Sequence, residues 1–357
     1  MKNIKSFYKN KKVLVTGATG FKGAWLCSWL LKLGAKVSGT GYSPNQNKNL
    51  FYQLNLKNKI NLKIFDIRDY NKLEKFIFKC KPEIIFHLAA QPLILNSYKE
   101  PYNTFTINYC GSLNIMEITR KFRFIKSVVF VTTDKVYESN GKPKGFKEND
   151  LLGGIDPYSA SKSSTELMIR AYRESFFKDK IKCGISSARA GNVIGGGDWS
   201  QNRLIPDSIR SSIENKTIVL RNPNFNRPWQ FVLEPIKGYL ILAQRQYNKP
   251  AQYSMAWNFG NRSGAVTTVS QIVKYIINYW GSGKLKELSK NKIYEQENLQ
   301  LDSSKAIKLL KWSPTYSIKE SVKITTEWYF KVLKLKQNPQ DVTSTQIEDY
   351  MNENKWS

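Results

Sequence analysis

Histidine is almost absent: the 357 residues hold one, His87. No metal site built on several imidazoles can form within one chain, and a Ser-His-Asp triad would have to run through His87. His87 lies in the apolar run IIFHLAA, where a packed strand residue is the plain expectation. No metal is expected. Cysteine is also scarce. Cys27, Cys80, Cys110 and Cys183 are scattered without a CxxC pair, which suits a reduced compartment rather than a disulfide framework. No apolar run reaches the roughly 18 residues of a membrane span. The opening MKNIKSFYKNKK lacks the apolar segment of a secretory signal. A cytoplasmic chain without a membrane partner is expected. Acidic residues are few: 28 Asp and Glu stand against 56 Lys and Arg, a net charge of +28. The lysines are spread among Asn and Ile rather than gathered into basic blocks. We read the excess as a compositional bias, with no nucleic-acid partner, and note that a positive field also attracts anionic nucleotides.

What is present is a period. Short apolar runs at Lys12 to Thr16, Lys36 to Gly41, Leu62 to Asp66, Ile84 to Ala89, Ser127 to Thr132 and Ile185 to Ala190 read as strands. Helical patterns lie between them, notably at Ala24 to Leu33, Tyr70 to Lys79 and residues 101–121. This alternation predicts an α/β fold, a Rossmann-type doubly wound parallel sheet. After about residue 190 it breaks into Gly, Asn, Trp and Pro clusters. Two further strand-like runs, Trp229 to Leu233 and Trp257 to Gly260, flank a helix near 235–246. The expected organisation is a dinucleotide-binding domain over 1–190, with segments near 229–260 returning to it. A smaller, tightly packed substrate region over 191–335 and a polar, loosely held tail over 336–357 complete it.

Gly17, Gly20 and Gly23 follow the first strand and open the first helix. Glycine permits the tight turn and a close backbone approach to a pyrophosphate, which the helix N-terminus then favours. The spacing is GxxGxxG. The acidic residue usual at the end of the second strand is missing from GTGYSPNQNKN, so a choice of NAD through a ribose-binding carboxylate cannot be argued there. Lys48 is placed to reach a 2′-phosphate. Asp66 is placed either to meet an adenine edge or to cap the next turn.

Tyr158 and Lys162, in YSASK, stand at i and i+4 on one helix face. A phenol ionises near pH 10, and a lysine cation one turn away stabilises the phenolate as a usable base. The fifth strand ends in Thr132 and Thr133, which supply a hydroxyl for the same substrate oxygen. Asp134 and Lys135 follow in VTTDKVYE. They are either an ion pair closing a strand end or an acid–base couple for a second reaction, such as elimination of water beside a ketone.

These stretches resemble the CDP-glucose 4,6-dehydratase family, a branch of the extended short-chain dehydrogenases/reductases. The likeness runs through TGATGFKGAWL, FHLAAQPL, VTTDKVYE, GFKENDLLGGIDPYSASK, SARAGNVIGGGDW, RLIPD and NRPWQFVLEP, over roughly residues 13 to 240. TTDK discriminates, because related dTDP-glucose dehydratases carry Glu after the Asp. The resemblance implies oxidation of CDP-glucose at C4, elimination across C5–C6 and reduction at C6, to CDP-4-keto-6-deoxyglucose and water. Tyr158, Thr133 and Lys162 would act at the 4-hydroxyl and Asp134 would protonate the departing 6-hydroxyl. Lys135 stands where the related family keeps its C5 base. The cofactor implied is NAD, held by Gly17, Gly20, Phe21, Lys22, Gly23, Asp66, Ile67, Leu88, Ala89, Ala90, Gln91, Asn108, Tyr158 and Lys162. Asn192, Arg203, Leu204 and Arg227 match nucleotide-sugar positions. A homodimer is implied, built on the helix from Pro157 and the one over 101–121. Departures occur at Leu95 and Asn96, where basic residues are expected, and at Ile107, where Thr is expected. The alternative is another nucleotide-sugar 4,6-dehydratase or an epimerase; an epimerase needs Tyr158 and Lys162 but not the Asp134–Lys135 pair. A catalytically silent NAD-sensing or nucleic-acid module would leave the intact Thr-Tyr-Lys set unexplained.

Overall fold

The computed structural model describes residues 4–42, 49–138, 145–178, 183–220, 222–261, 267–288 and 300–356. Lys48, the candidate 2′-phosphate contact, lies outside the described residues. Seven parallel strands form the central sheet: β1 (Lys12–Thr16), β2 (Lys36–Gly41), β3 (Asn61–Ile64), β4 (Ile84–His87), β5 (Ser127–Val131), β6 (Gly184–Ala190) and β7 (Ala256–Phe259). Their order is β7-β6-β5-β4-β1-β2-β3. The direction of winding reverses between β1 and β4, and ligands of such sheets sit at the carboxyl ends of the strands at that switch.

Strand side chains alternate, so a sheet covered on both faces needs apolar residues at every position. The central strands β1, β4 and β5 come closest to this, whereas the edge strand β3 is largely exposed. Val13, Val15, Ile84, Phe86 and Val129 join one core with the buried rings of Trp25, Trp29 and Trp257. Leu14, Ile85, Val128 and Phe130 join the other with Ile115, Met116 and Ile169. The helices that matter for the site are α1 (Phe21–Lys32), α2 (Tyr70–Cys80), α3 (Gly111–Lys121), α4 (Pro157–Tyr172), α5 (Leu204–Ile213) and α6 (Leu233–Asn248). Beyond residue 190, three short pairings build the second region: Val193–Ile194 with Gln230–Phe231, Asn226–Arg227 with Thr267–Thr268, and Thr217–Leu220 with Lys284–Glu287.

The helix over 101–121 forms as expected, with a π-turn at its middle residues Thr106–Cys110. Two expectations need correction. The run from Trp229 does not return to the central sheet; its Gln230–Phe231 core pairs with Val193–Ile194, and only β7 returns. The tail is not loosely held. α7 (Ile318–Leu333) and α8 (Pro339–Glu353) pack on one another, α8 against α1 and α7 against the Val193–Ile194 and Gln230–Phe231 pairing. Asn338 caps α8 with Pro339 at its first position, both favourable helix starts. α8 buries Val342, Thr343, Gln346, Ile347, Tyr350 and Met351 as one stripe. The stripe contains Thr and Gln, which hid its helical period in a polar sequence.

Candidate active site

The first wall of the cleft is the turn after β1. Gly17 adopts φ +70°, and a Cβ there would lie 2.7 Å from the Ala89 nitrogen beyond β4. Only glycine allows that crossing of two strand ends. A Cβ on Gly23 would overlap the Gly17 carbonyl oxygen. Gly20 is the N-cap of α1, and no side chain caps it. The helix therefore offers its N-terminal backbone at the switch point, a fit for a pyrophosphate. Phe21 packs toward Gly195 and Val232. The Lys22 side chain turns into the cleft, where its amine donates to Tyr239 Oη at 3.4 Å.

Asp66 lies past the end of β3 with both carboxylate oxygens taken by the Arg68 guanidinium. That side-chain contact holds its carboxyl below the usual range, against a smaller opposing effect of burial. Arg68 also reaches Asn103 and Thr106, a bracing role the sequence reading missed although Arg68 sits in the same FDIRD. Ile67 is buried, and its carbonyl accepts from Asn114. Leu88, Ala89 and Ala90 follow β4, with the Ala89 N–H on Thr16 Oγ1 at 3.3 Å. Asn108 sits in the π-turn, fully buried, and its side chain is spent on protein. Its Oδ1 accepts from the Gln91 N–H at 2.8 Å, and its Nδ2 donates to the Gln91 carbonyl and to Ser161 Oγ. It ties the β4 loop to α4. His87 is the packed strand residue expected, bridging Thr16 Oγ1 and Ser112 Oγ at 2.7 and 3.0 Å.

The reactive groups come from β5 and α4. Thr133 opens a short turn over Asp134–Val136 and accepts from the Lys135 N–H. Its hydroxyl donates to Asp134 Oδ1 at 3.0 Å, and Lys135 Nζ donates to the same oxygen at 3.1 Å. Asp134 is buried. Its other oxygen, Oδ2, has no hydrogen-bond partner among the described residues. It faces Gly191, where a Cβ would come within 3.1 Å of it. A buried acceptor left unmet is uncommon and marks a place for a ligand donor. Asp156 caps α4 by accepting from the Ser159 N–H, with Pro157 at the first helical position. That start aims Tyr158 and Lys162 inward. Burial pushes the Tyr158 phenol up to about 12, opposed by its hydrogen bond with Thr133. Burial lowers the Lys162 amine to about 8, opposed by Glu166 one turn on. Glu166 was missed by the sequence reading. Its buried carboxylate accepts from Thr132, Ser187 and Arg189, and so braces the end of β5.

The opposite wall carries the candidate nucleotide-sugar residues. Arg203 and Leu204 open α5, and Arg203 pairs with Asp198 at 3.1 Å. The Arg203 charge is felt at both Tyr158 and Lys22. The Asn192 carbonyl accepts from the Gln230 N–H. Arg227 is buried, its guanidinium 5.3 Å from the Phe225 ring centroid. The adjoining Pro228 would touch a Cβ on Gly191 at 3.2 Å, so the Arg227 loop borders the loop that faces Asp134. No group of His, Cys, Asp and Glu suited to a metal is found among the described residues.

A family model described as GDP-mannose 4,6 dehydratase matches residues 14–325. The chain belongs to that family. A CDP-glucose 4,6-dehydratase of Salmonella typhimurium is 42% identical over 330 residues, covering 91% of this chain and 92% of that protein. Among solved structures, a dTDP-glucose 4,6-dehydratase from Bacillus anthracis in complex with NAD superposes with a TM-score of 0.75 at 22% identity, over 90% of this chain and 97% of that one. A UDP-glucose 4-epimerase from Thermotoga maritima with UDP-glucose gives 0.76 at 24% identity, over 90% and 99%. These two support the fold: a Rossmann-type parallel sheet with flanking helices.

Proposed function

We propose that this family member converts CDP-glucose to CDP-4-keto-6-deoxyglucose and water, with NAD as its cofactor. The single observation that carries the reading is the Asp134–Lys135 pair beside Thr133 and Tyr158, with Asp134 Oδ2 unmet. The Salmonella relative, by its name a CDP-glucose 4,6-dehydratase, supports the nucleotide. The glycine turn, α1 and the strand ends at Asp66 and Leu88 to Gln91 would hold NAD; Asn192, Arg203, Leu204 and Arg227 would hold the nucleotide sugar. The bound dinucleotide supplies a hydride acceptor for C4 and a donor for C6.

The chain's own residues do the proton chemistry. Thr133 hydrogen-bonds the oxygen on which Tyr158 acts. Burial keeps the phenol weakly acidic, so the Lys162 cation is needed beside it to make it a usable base. Tyr158 removes the 4-hydroxyl proton. The Asp134–Lys135 pair then supplies both groups elimination needs. Moving one proton from the Lys135 ammonium to the Asp134 carboxylate, 3.1 Å away, leaves a neutral amine and a neutral acid. The amine takes the C5 proton and the acid protonates the 6-hydroxyl, which leaves as water. Elimination leaves the pair ionised. Reduction at C6 also needs a proton at C5: the Lys135 ammonium would return it, and the 4-hydroxyl proton held by Tyr158 would recharge the amine, so the cycle closes with no proton gained or lost.

Incubation with a panel of nucleotide sugars, read by mass spectrometry for loss of one water, tests the reading. Turnover of CDP-glucose without lasting reduced-cofactor absorbance is expected; a lasting rise would mean a simple dehydrogenase. No helix among the described residues is long and apolar enough to cross a membrane. We further propose a cytoplasmic homodimer joined along α4 and the Pro101–Phe105 helix. Leu167, Tyr102 and Phe105 are exposed there, whereas Met168 turns into its own core. Sedimentation showing only monomer at micromolar concentration would count against the dimer.

A further inference from the structure

α4 holds the end of β5 at two consecutive residues. Lys162 Nζ donates to the Val131 carbonyl at 3.3 Å, and one helical turn on, Glu166 Oε1 accepts from the Thr132 hydroxyl at 2.6 Å. The Thr132 N–H donates to the Ala188 carbonyl on β6. The other Glu166 oxygen, Oε2, accepts from Ser187 Oγ and Arg189 Nη2 on the same strand, at 2.6 and 2.8 Å. Arg189 is fixed in turn: its Nη1 donates to Tyr137 Oη at 2.7 Å and to the Glu148 carbonyl at 3.0 Å. Glu166 and Arg189 are both buried. A buried ion pair is weak evidence for stability, since apolar side chains of the same volume often hold a core as well. This one sits where a slip would matter. The residues after Thr132 are Thr133, in contact with Tyr158, and Asp134, which accepts from Thr133. No proton step of the proposed reaction uses Glu166.

We propose that Glu166 is a positioning residue for the reaction: anchored by Arg189, it holds Thr132 and so sets the Thr133–Asp134 turn at working distance from Tyr158. The inference rests on the reading of Thr133, Asp134, Tyr158 and Lys162 as the reacting set. The carboxylate has a second effect along its own helix. Its negative charge opposes the lowering of the Lys162 amine by burial, whereas Lys22 of α1 faces that amine as a cation and His87 of β4 as a neutral ring. Loss of the carboxylate therefore costs both the placement of Thr133 and part of the support for the Lys162 charge.

Steady-state turnover of CDP-glucose at saturating NAD tests this. Thr132→Val removes the hydroxyl that Glu166 holds at nearly constant volume, whereas Thr132→Ser keeps it. Thr132→Val should lower kcat about ten- to a hundredfold, the usual result of misplacing reacting groups by about an ångström, with KM near that of the wild type. Thr132→Ser should recover most of the loss. Glu166→Gln should slow turnover as well, and combined with Thr132→Val it should cost little more than either alone, because both break one contact. Only Glu166→Gln removes the charge. In that variant alone the fall of kcat on the alkaline side, where Lys162 loses its proton, should move to lower pH. Wild-type kcat in Thr132→Val, equal slowing in Thr132→Ser, or an unmoved alkaline fall in Glu166→Gln overturns the proposal. If Glu166→Gln does not fold, the two Thr132 variants decide it. A wild type inert toward CDP-glucose would sink the cytidine reading alone; the same comparisons then judge Glu166 on whichever nucleotide sugar of the panel reduces the cofactor or loses water.

Discussion

Two side chains divide the proposed chemistry, and substitution can separate them. Asp134→Asn keeps the shape of the turn but cannot donate a proton. Tyr158, Thr133 and Lys162 remain, so oxidation at C4 should persist. Loss of the 6-hydroxyl should slow about 10²–10⁴-fold, the usual worth of a general acid. In a single turnover the variant should therefore accumulate reduced cofactor absorbance while releasing little dehydrated product. Tyr158→Phe removes the only group assigned to the 4-hydroxyl proton, so both signals should fall together. Asp134→Asn dehydrating CDP-glucose at the wild-type rate would remove Asp134 from the acid's role. Lys135→Met makes the complementary case. Without the ammonium beside it, Asp134 loses the source of the proton it donates, so Lys135→Met should also oxidise without eliminating.

At the scale of elements, the single histidine joins three of them. His87 on β4 bridges Thr16 at the end of β1 and Ser112 in the first turn of α3. Burial, with the Lys162 charge adding to it, lowers its pKa to about 3. The unfolded chain protonates this histidine near pH 6.5, whereas the folded chain keeps it neutral. Between these values the unfolded state binds the extra proton, so stability falls as pH falls from about 6.5 towards 3. The slope is about 1.4 kcal/mol per pH unit once the unfolded histidine is charged. His87 is the one histidine, so it alone supplies a destabilising imidazole contribution in this window; the buried Glu148 and Glu234 carboxyls, raised by burial, act with the opposite sign, which is why the His87 variant is the needed control. Denaturant unfolding at pH 7 and pH 5 should show the loss, and His87→Asn should flatten the dependence there. An equal loss in His87→Asn would assign the effect elsewhere. These elements also show what a sequence can disclose. The glycine turn, TTDK and YSASK are legible because each acts within a few residues of one strand end or helix start. Asp66 is legible as a residue, but its engagement by Arg68 and the bracing of Arg68 on Asn103 and Thr106 are not. Glu166 was equally hidden: its partners Thr132, Ser187 and Arg189 meet only once β5, β6 and α4 are assembled.

At the scale of the whole molecule, the C-terminal helix closes the structure behind the cofactor cradle. Tyr350 on α8 stacks edge-on against Trp29 of α1, 5.6 Å between ring centroids, and donates its hydroxyl to the buried Glu234 of α6. The remaining hydrogen bonds to its carboxylate come from the Thr315 and Tyr316 N–H groups at 2.9 and 2.8 Å. Lys237, one turn further along α6, donates to Asn354 at 2.8 Å. The tail therefore locks the helix of the glycine turn to the helix that carries Tyr239. Because Glu234 is buried, removing the Tyr350 hydroxyl leaves its Oε2 with the Thr315 N–H alone and no water to replace the lost donor. Tyr350→Phe should destabilise the protein by about 1–3 kcal/mol while keeping the ring in place. Ile347→Ala leaves a cavity in the same stripe and should cost about 2–5 kcal/mol. Urea unfolding reads both as a lower midpoint at an unchanged slope. Neither residue lines the cleft, so NAD affinity measured well below the unfolding midpoint should match the wild type. A tail held only loosely would give wild-type midpoints for both variants. Wild-type stability with weakened NAD binding would mean instead that α8 acts on the cleft through α1.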